Sequence, residues 1–167
     1  MFQASSIPIS WKEMKYDEIQ ADDTRSVSLD SCIKLKGSIG EPFFLEDTGL
    51  YIDSLKGFPG PYSSYVARTI GNMGIIDLLA RGLDRSASFT TVISYFDGTE
   101  IMQFEGFVRG VIAMYPSGSG GFGYDPIFMP EGSSKTLAQM SYEEKNAVSH
   151  RGKAVSQLIS FLQKHPV

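Results

Sequence analysis

Two runs of β-branched and aromatic residues, Ser86 to Phe96 and Glu100 to Phe107, meet at Asp97-Gly98. That dipeptide favours a type I′ turn, so the middle of the chain predicts a β-hairpin. Val108 to Tyr115 predicts a third strand, Ser117 to Gly123 a glycine-rich loop, and Ile127 to Met129 a further short strand. Ile7 to Tyr16 alternates apolar and polar residues and predicts a strand, whereas Val27, Cys32 and Leu35 recur at helical spacing within Thr24 to Lys36. Pro42 to Glu46 and Leu50 to Ile52 are apolar runs interrupted by Asp47, Thr48 and Gly49, a pattern for a strand, a tight acidic turn and a second strand. Apolar positions from Val66 to Leu79 predict a helix over Ser64 to Leu83, split in two near Gly71 and Gly74. Near the C-terminus Ser141 and Glu144 form a capping-box pattern, and Val148, Val155, Leu158, Ile159 and Leu162 make one apolar stripe with a break expected near Ser149. Helices flank adjacent antiparallel strands, so the class is α/β or α+β with a mixed sheet.

A chain of 167 residues fits one domain and buries about 70% of the surface of its unfolded form. With 42% hydrophobic and 20% charged residues, and no apolar run near the roughly 18 residues of a membrane span, the disordered and integral-membrane classes are excluded. A net charge of -4 offers no general attraction for nucleic acid, so an anionic ligand must be met locally. One cysteine and two histidines can build neither an intrachain disulfide nor a closed zinc site, which points to a reducing interior. The opening MFQASSIPIS lacks the basic and apolar segments of a secretory signal, and the expected location is the cytoplasm.

Gly118, Gly120 and Gly123 satisfy G-x-G-x-x-G, but Tyr124-Asp125-Pro126 follows where a dinucleotide site needs a helix to begin. No phosphate loop ending in Gly-Lys-Ser or Gly-Lys-Thr occurs. Glu46 and Asp47 could serve a divalent metal or a general base, or form an ordinary acidic turn. Glu18, Asp22 and Asp23 could add a metal ligand or simply be solvated. Cys32 falls on an apolar helical position and reads as a buried structural thiol rather than a nucleophile paired with His150. Ser149-His150-Arg151, preceded by Lys145, groups hydrogen-bond donors at a helix start. Phe122 and Tyr124, set among glycines, could stack on a flat ligand or pack into the core. Together these are the parts needed to hold a purine nucleotide with a Mg²⁺-bound phosphate tail.

FFLEDTGLYIDSLKGFPGPYSSYV (Phe43 to Val66) and GFGYDPIFMPEGSSKTLAQMSYEEKNAVSHRGKA (Gly121 to Ala154) resemble the signature blocks of the inosine triphosphate pyrophosphatase family. The resemblance implies an elongated mixed sheet with helices on both sides, forming two lobes around a nucleotide cleft. It implies Mg²⁺-dependent hydrolysis of ITP, dITP and XTP to the monophosphate and pyrophosphate, by a homodimer. Asp47 matches the essential aspartate that helps hold Mg²⁺ and activate water; Glu46 and Glu18 match acidic metal positions. Thr48, Phe122, Gly123, Tyr124, Asp125, Lys145, His150 and Arg151 match the substrate site, with the aromatics stacking on the base and Asp125 contacting its edge. His150 and Arg151 would donate to a carbonyl at the purine 6-position, which adenine replaces with an amino group. The single domain spanning residues 1–167 is expected to lack the family's first strand and its Ser/Thr-x-Asn-x-x-Lys phosphate turn, through a start assigned too late or a shortened chain, or else with another lysine such as Lys56 or Lys135 substituting. The competing expectation is a nucleotide-binding protein with weak or no turnover. Exposed aromatic positions between Phe89 and Phe107 are the expected dimer surface.

Overall fold

A computed structural model describes residues 7–80 and 82–165. Helix α1 (Thr24–Ile39) starts where the Asp23 carboxylate accepts from the Ser26 N–H at 2.7 Å, and it stops at Gly40, whose φ of 66° suits a residue without Cβ. It leads into strand β1 (Phe43–Ile52), then β2 (Pro59–Gly60), helices α2 (Ser63–Thr69) and α3 (Gly71–Leu78), and the long pair β3 (Ser86–Phe96) and β4 (Ile101–Ile112). Strand β5 (Phe128–Pro130) and helices α4 (Tyr142–Val148) and α5 (His150–Lys164) complete the described elements.

The strands form one sheet in the order β2-β1-β3-β4-β5, and every described ladder is antiparallel. β1 and β3 pair from Phe43 opposite Phe96 to Ile52 opposite Ala87, which fixes the face of every side chain. Leu50, Ile52, Ala87, Phe89, Val108 and Ile112 share a face and pack with Val66, Ile75, Ile76 and Leu79 of α2 and α3. Further along that face, Ile93 and Tyr95 pack with Ala154, Val155 and Leu158 of α5. The opposite face carries α1: Ser28 and Ser94 share a 2.7 Å hydrogen bond, and the Gln103 amide donates to the Arg25 carbonyl at 3.0 Å. Helices therefore cover both sides of the sheet.

The hairpin at Asp97-Gly98, the division of the α2–α3 segment and the break at Ser149 fall where the sequence predicts them. Three expectations need correction. β1 is one continuous strand, because Asp47, Thr48 and Gly49 pair with Val92, Thr91 and Thr90 and the ladder overrides their turn propensity. β4 likewise joins two predicted strands, since nothing between Phe107 and Val108 interrupts its pairing with β3. Ile7 to Tyr16 forms no strand: no described strand pairs with it, Trp11 is 84% exposed, and an extended segment without ladder partners has no reason to stay regular. Within the range expected to supply the dimer surface, Phe89, Tyr95 and Phe96 are buried in the core and Phe107 is exposed. Cys32 is fully buried, and burial pushes its thiol up to about 11, as a structural cysteine requires.

Candidate active site

His150 is the first residue of α5, placed there by the Ser149 cap, whose hydroxyl accepts from the Gly152 N–H at 3.0 Å. Its ring lies on β3, stacked on Phe89 with centroids 4.5 Å apart and planes inclined by 22°. His150 Nδ1 shares a 2.6 Å hydrogen bond with the Thr91 hydroxyl, which shares another of 2.6 Å with the Thr48 hydroxyl. Phe89 and Thr91 alternate onto the same sheet face, and Thr48 stands opposite Thr91 in register. Gly106 of β4 makes the arrangement possible, because a Cβ there would lie 1.8 Å from the His150 carbonyl oxygen and 2.7 Å from the Ala154 nitrogen. Burial first, then the charges of Arg151, Lys145 and Lys153, push the imidazole down to about 3, so it is neutral at physiological pH.

Beside it the glycine-rich loop folds on Asp125, which is 3% exposed and accepts from Lys145 Nζ at 2.5 Å and from the Phe122 N–H at 2.7 Å. Gly121 cannot carry a side chain here: its φ is 74°, and a Cβ would lie 2.0 Å from Asp125 Oδ2. Phe122 is 57% exposed, and its ring lies 4.9 Å from Lys145 Nζ and 4.5 Å from Arg151 Cζ, a double cation–π contact. Glu46 holds Arg151 by a fork, with Nε donating to its two oxygens at 2.7 and 2.9 Å. Gly123, with φ of 58°, turns the loop beyond Phe122. The stacking expected of Tyr124 is corrected: the residue is 3% exposed within the core beside Phe128, and its hydroxyl donates to the Ser63 carbonyl at 3.0 Å.

Asp47 alternates to the other face of β1. Its Oδ1 accepts from the Thr48 N–H at 2.9 Å, while Oδ2 is buried with no hydrogen-bond partner. Burial, followed by the negative charges of Glu18 and Glu46, pushes this carboxyl up to about 6, although the Thr48 N–H opposes the shift. Glu18 thus comes within electrostatic reach of Asp47, whereas Glu46 points to the opposite face and is taken up by Arg151. Asp23 is engaged as the α1 cap. Among the described residues no three His, Cys, Asp or Glu side chains gather into a metal-binding group. β2 pairs only with Leu50 and Tyr51, so the outer edge of β1 from Phe43 to Gly49 has no described partner strand, and groups on the two faces can meet around it.

The fold thus joins Phe122, Asp125, Lys145 and Arg151 through direct contacts, links Thr48 to His150 through Thr91, leaves Asp47 on the opposite face with Glu18 within electrostatic reach, and draws Tyr124 into the core. Sequence reasoning missed Phe89, Thr91 and Gly106. The residues Phe89 and Thr91 occupy alternate positions of a strand legible in the sequence, but their partner lies 59 residues away in the case of Thr91.

These features define an α/β protein with a polar cluster at the start of α5 and a buried carboxylate oxygen of Asp47 on the opposite face of the sheet. The Ham1 protein of Staphylococcus aureus superposes with a TM-score of 0.81 at 31% identity, covering 89% of this chain and 81% of that one. A Ham1 protein from Coxiella burnetii gives 0.79 at 31% identity, over 97% of this chain and 84% of the other. The chain belongs to the Ham1 family, whose sequence profile matches residues 2–161. Among its relatives, the dITP/XTP pyrophosphatase of Thermococcus kodakarensis is 46% identical over 164 residues, 98% of this chain and 89% of the relative. The dITP/XTP pyrophosphatase of Pyrococcus horikoshii is 50% identical over 149 residues, 89% of this chain and 80% of the relative.

Proposed function

We propose that this chain is a nucleoside triphosphate pyrophosphatase that hydrolyses non-standard purine nucleotides, ITP, dITP and XTP, to the monophosphate and pyrophosphate. The observation that carries the reading is the neutral, buried His150 set beside Arg151, Lys145 and exposed Phe122, in a chain with dITP/XTP pyrophosphatases among its relatives. Phe122 offers a face to the purine, and Lys145, fixed by Asp125, and Arg151, fixed by Glu46, bring positive charge to it. Donors at His150 and Arg151 are satisfied by a carbonyl at the purine 6-position and confronted by the amino group of adenine, a mismatch that in favourable sites discriminates by about 10⁴.

Mg²⁺ is the cofactor of this reading, and the residues suit it. The bare, buried Asp47 Oδ2 and the neighbouring Glu18 are hard oxygen donors, and Mg²⁺ is commonly held by one or two carboxylates together with substrate phosphates and waters. When bound, the ion neutralises phosphate charge and lowers the pKa of coordinated water. Asp47 is the carboxylate that would orient an attacking water beside the ion and take up its proton. A homodimer in the cytoplasm completes the reading.

Pyrophosphate release from ITP, dITP, XTP, GTP and ATP, measured with and without Mg²⁺, tests it. Mg²⁺-dependent release from the first three well above the last two is expected. ITP binding without release would instead make the chain a nucleotide-binding protein. A solution scattering mass equal to one chain would remove the homodimer.

A further inference from the structure

Asp47, Gly49 and Tyr51 are alternate residues of β1, so they share one face of the sheet, the face on which α1 lies. At the start of α1 the Thr24 N–H donates to the Tyr51 hydroxyl at 2.9 Å, and the Thr24 and Tyr51 hydroxyls share a second hydrogen bond. Thr24 is 1% exposed, so this phenol satisfies a helix-end amide that water does not reach. Gly49 leaves the room, because a Cβ there would lie 2.7 Å from Thr24 Oγ1 and 2.7 Å from the Tyr51 ring. Further along α1, Lys34 Nζ donates to the Asp17 carbonyl at 3.0 Å while pairing with Asp30 at 2.7 Å. Glu18 lies between these two anchors, and its charge reaches Asp47, whose Oδ2 is buried without a hydrogen-bond partner.

We propose that Tyr51 and Lys34 are positioning residues that tie down the two ends of the strap from Asp17 to Thr24, and thereby hold Glu18 beside the Asp47 carboxyl for a divalent cation. The proposal rests on the Mg²⁺ reading of Asp47 and Glu18 for its consequence and on the two anchors for its cause. Glu18 is exposed and belongs to no helix or strand, so without anchors each binding event would have to order it. Fixing both ends beforehand removes part of that cost, as groups behind metal ligands do in general. Tyr51 does this without charge. Lys34 does it although its charge repels a cation, which separates anchoring from electrostatics: by charge alone, removing this lysine would tighten the ion.

Mn²⁺ titration of nucleotide-free protein, followed by electron paramagnetic resonance, reads the affinity. Cleavage by a glutamate-specific protease after Glu18, set against Glu13 ahead of the strap, reads the anchoring without metal. Tyr51→Phe, which removes a hydroxyl and no charge, and Lys34→Met are each expected to weaken Mn²⁺ binding about 10-fold and to speed cleavage at Glu18 relative to Glu13. Lys36→Met, which removes a charge from the same helix but neither anchor, is expected to do neither. In turnover of XTP, Tyr51→Phe is expected to need more Mg²⁺ for half-maximal rate and to regain the wild-type kcat at saturating Mg²⁺. A loss that Mg²⁺ does not restore would mark a merely structural role and overturn the proposal. Mn²⁺ affinity unchanged or tighter in either anchor variant, or cleavage at Glu18 unchanged, would overturn it too. Wild-type protein that binds no Mn²⁺ would overturn the Mg²⁺ reading and the proposal together, whereas Mn²⁺ binding without pyrophosphate release would refute the pyrophosphatase reading and leave affinity and cleavage to decide the anchors.

Discussion

Asp47 holds one oxygen satisfied by the Thr48 N–H and the other buried and bare. A carboxyl raised from 3.8 to about 6 disfavours its ionised form in the fold, so it stabilises the protein as pH falls through 6 and penalises it above. Asp47→Asn is therefore expected to abolish pyrophosphate release yet melt no lower than wild type in metal-free buffer at pH 8; calorimetry with a turnover assay checks both. His150 has the opposite sign. Its folded pKa of about 3 lies below the ordinary 6.5, so the stability linked to the neutral ring is full above 6.5 and is lost progressively as pH falls from there toward 3. Urea midpoints at pH 7.5 and pH 5 are expected to separate more in wild type than in His150→Gln, which has no imidazole to protonate.

The first turn of α5 sits on the β4 backbone at Gly106, and that contact brings His150 to Thr91. Gly106→Ala would drive a methyl group into the His150 carbonyl, so the helix must lift. A loss of about 3 kcal/mol in urea unfolding is expected, with a fall in kcat/KM for XTP. Unchanged kinetics would show that the helix start does not depend on this approach. At this scale the hairpin, the divided helix and the Ser149 break were legible because turn dipeptides, glycines and capping boxes act locally. β1 was not legible as one strand, because Asp47-Thr48-Gly49 carries local turn chemistry and only pairing with Thr90 to Val92 holds it extended. The stacking expected of Tyr124 failed similarly: its neighbours suggested a ligand face, and core packing claimed the ring.

Across the whole molecule, the His150 cluster and Asp47 lie on opposite faces of the sheet, on either side of a β1 edge that no described strand pairs. A bound nucleotide should therefore protect two distant stretches at once. Hydrogen exchange with a non-hydrolysable XTP analogue and Mg²⁺ is expected to slow amides in Phe43 to Thr48 together with those from Lys145 to Gly152, and to raise the melting temperature as ligand accumulates. Protection confined to one stretch would argue against a nucleotide spanning the edge.

The sequence alone determined the class of fold, the order of most elements and the family, since all three follow from short-range patterns and contiguous blocks from Phe43 to Val66 and Gly121 to Ala154. It also grouped His150, Arg151, Lys145 and Asp125 as candidates for one site. The tertiary structure decided which of them touch. Strand register sent Glu46 to Arg151 and Asp47 to the other face, and it set Thr91 between Thr48 and His150. A one-residue change of face follows from the two-residue period of a strand, and contacts between residues 59 or more positions apart depend on packing that no local pattern encodes.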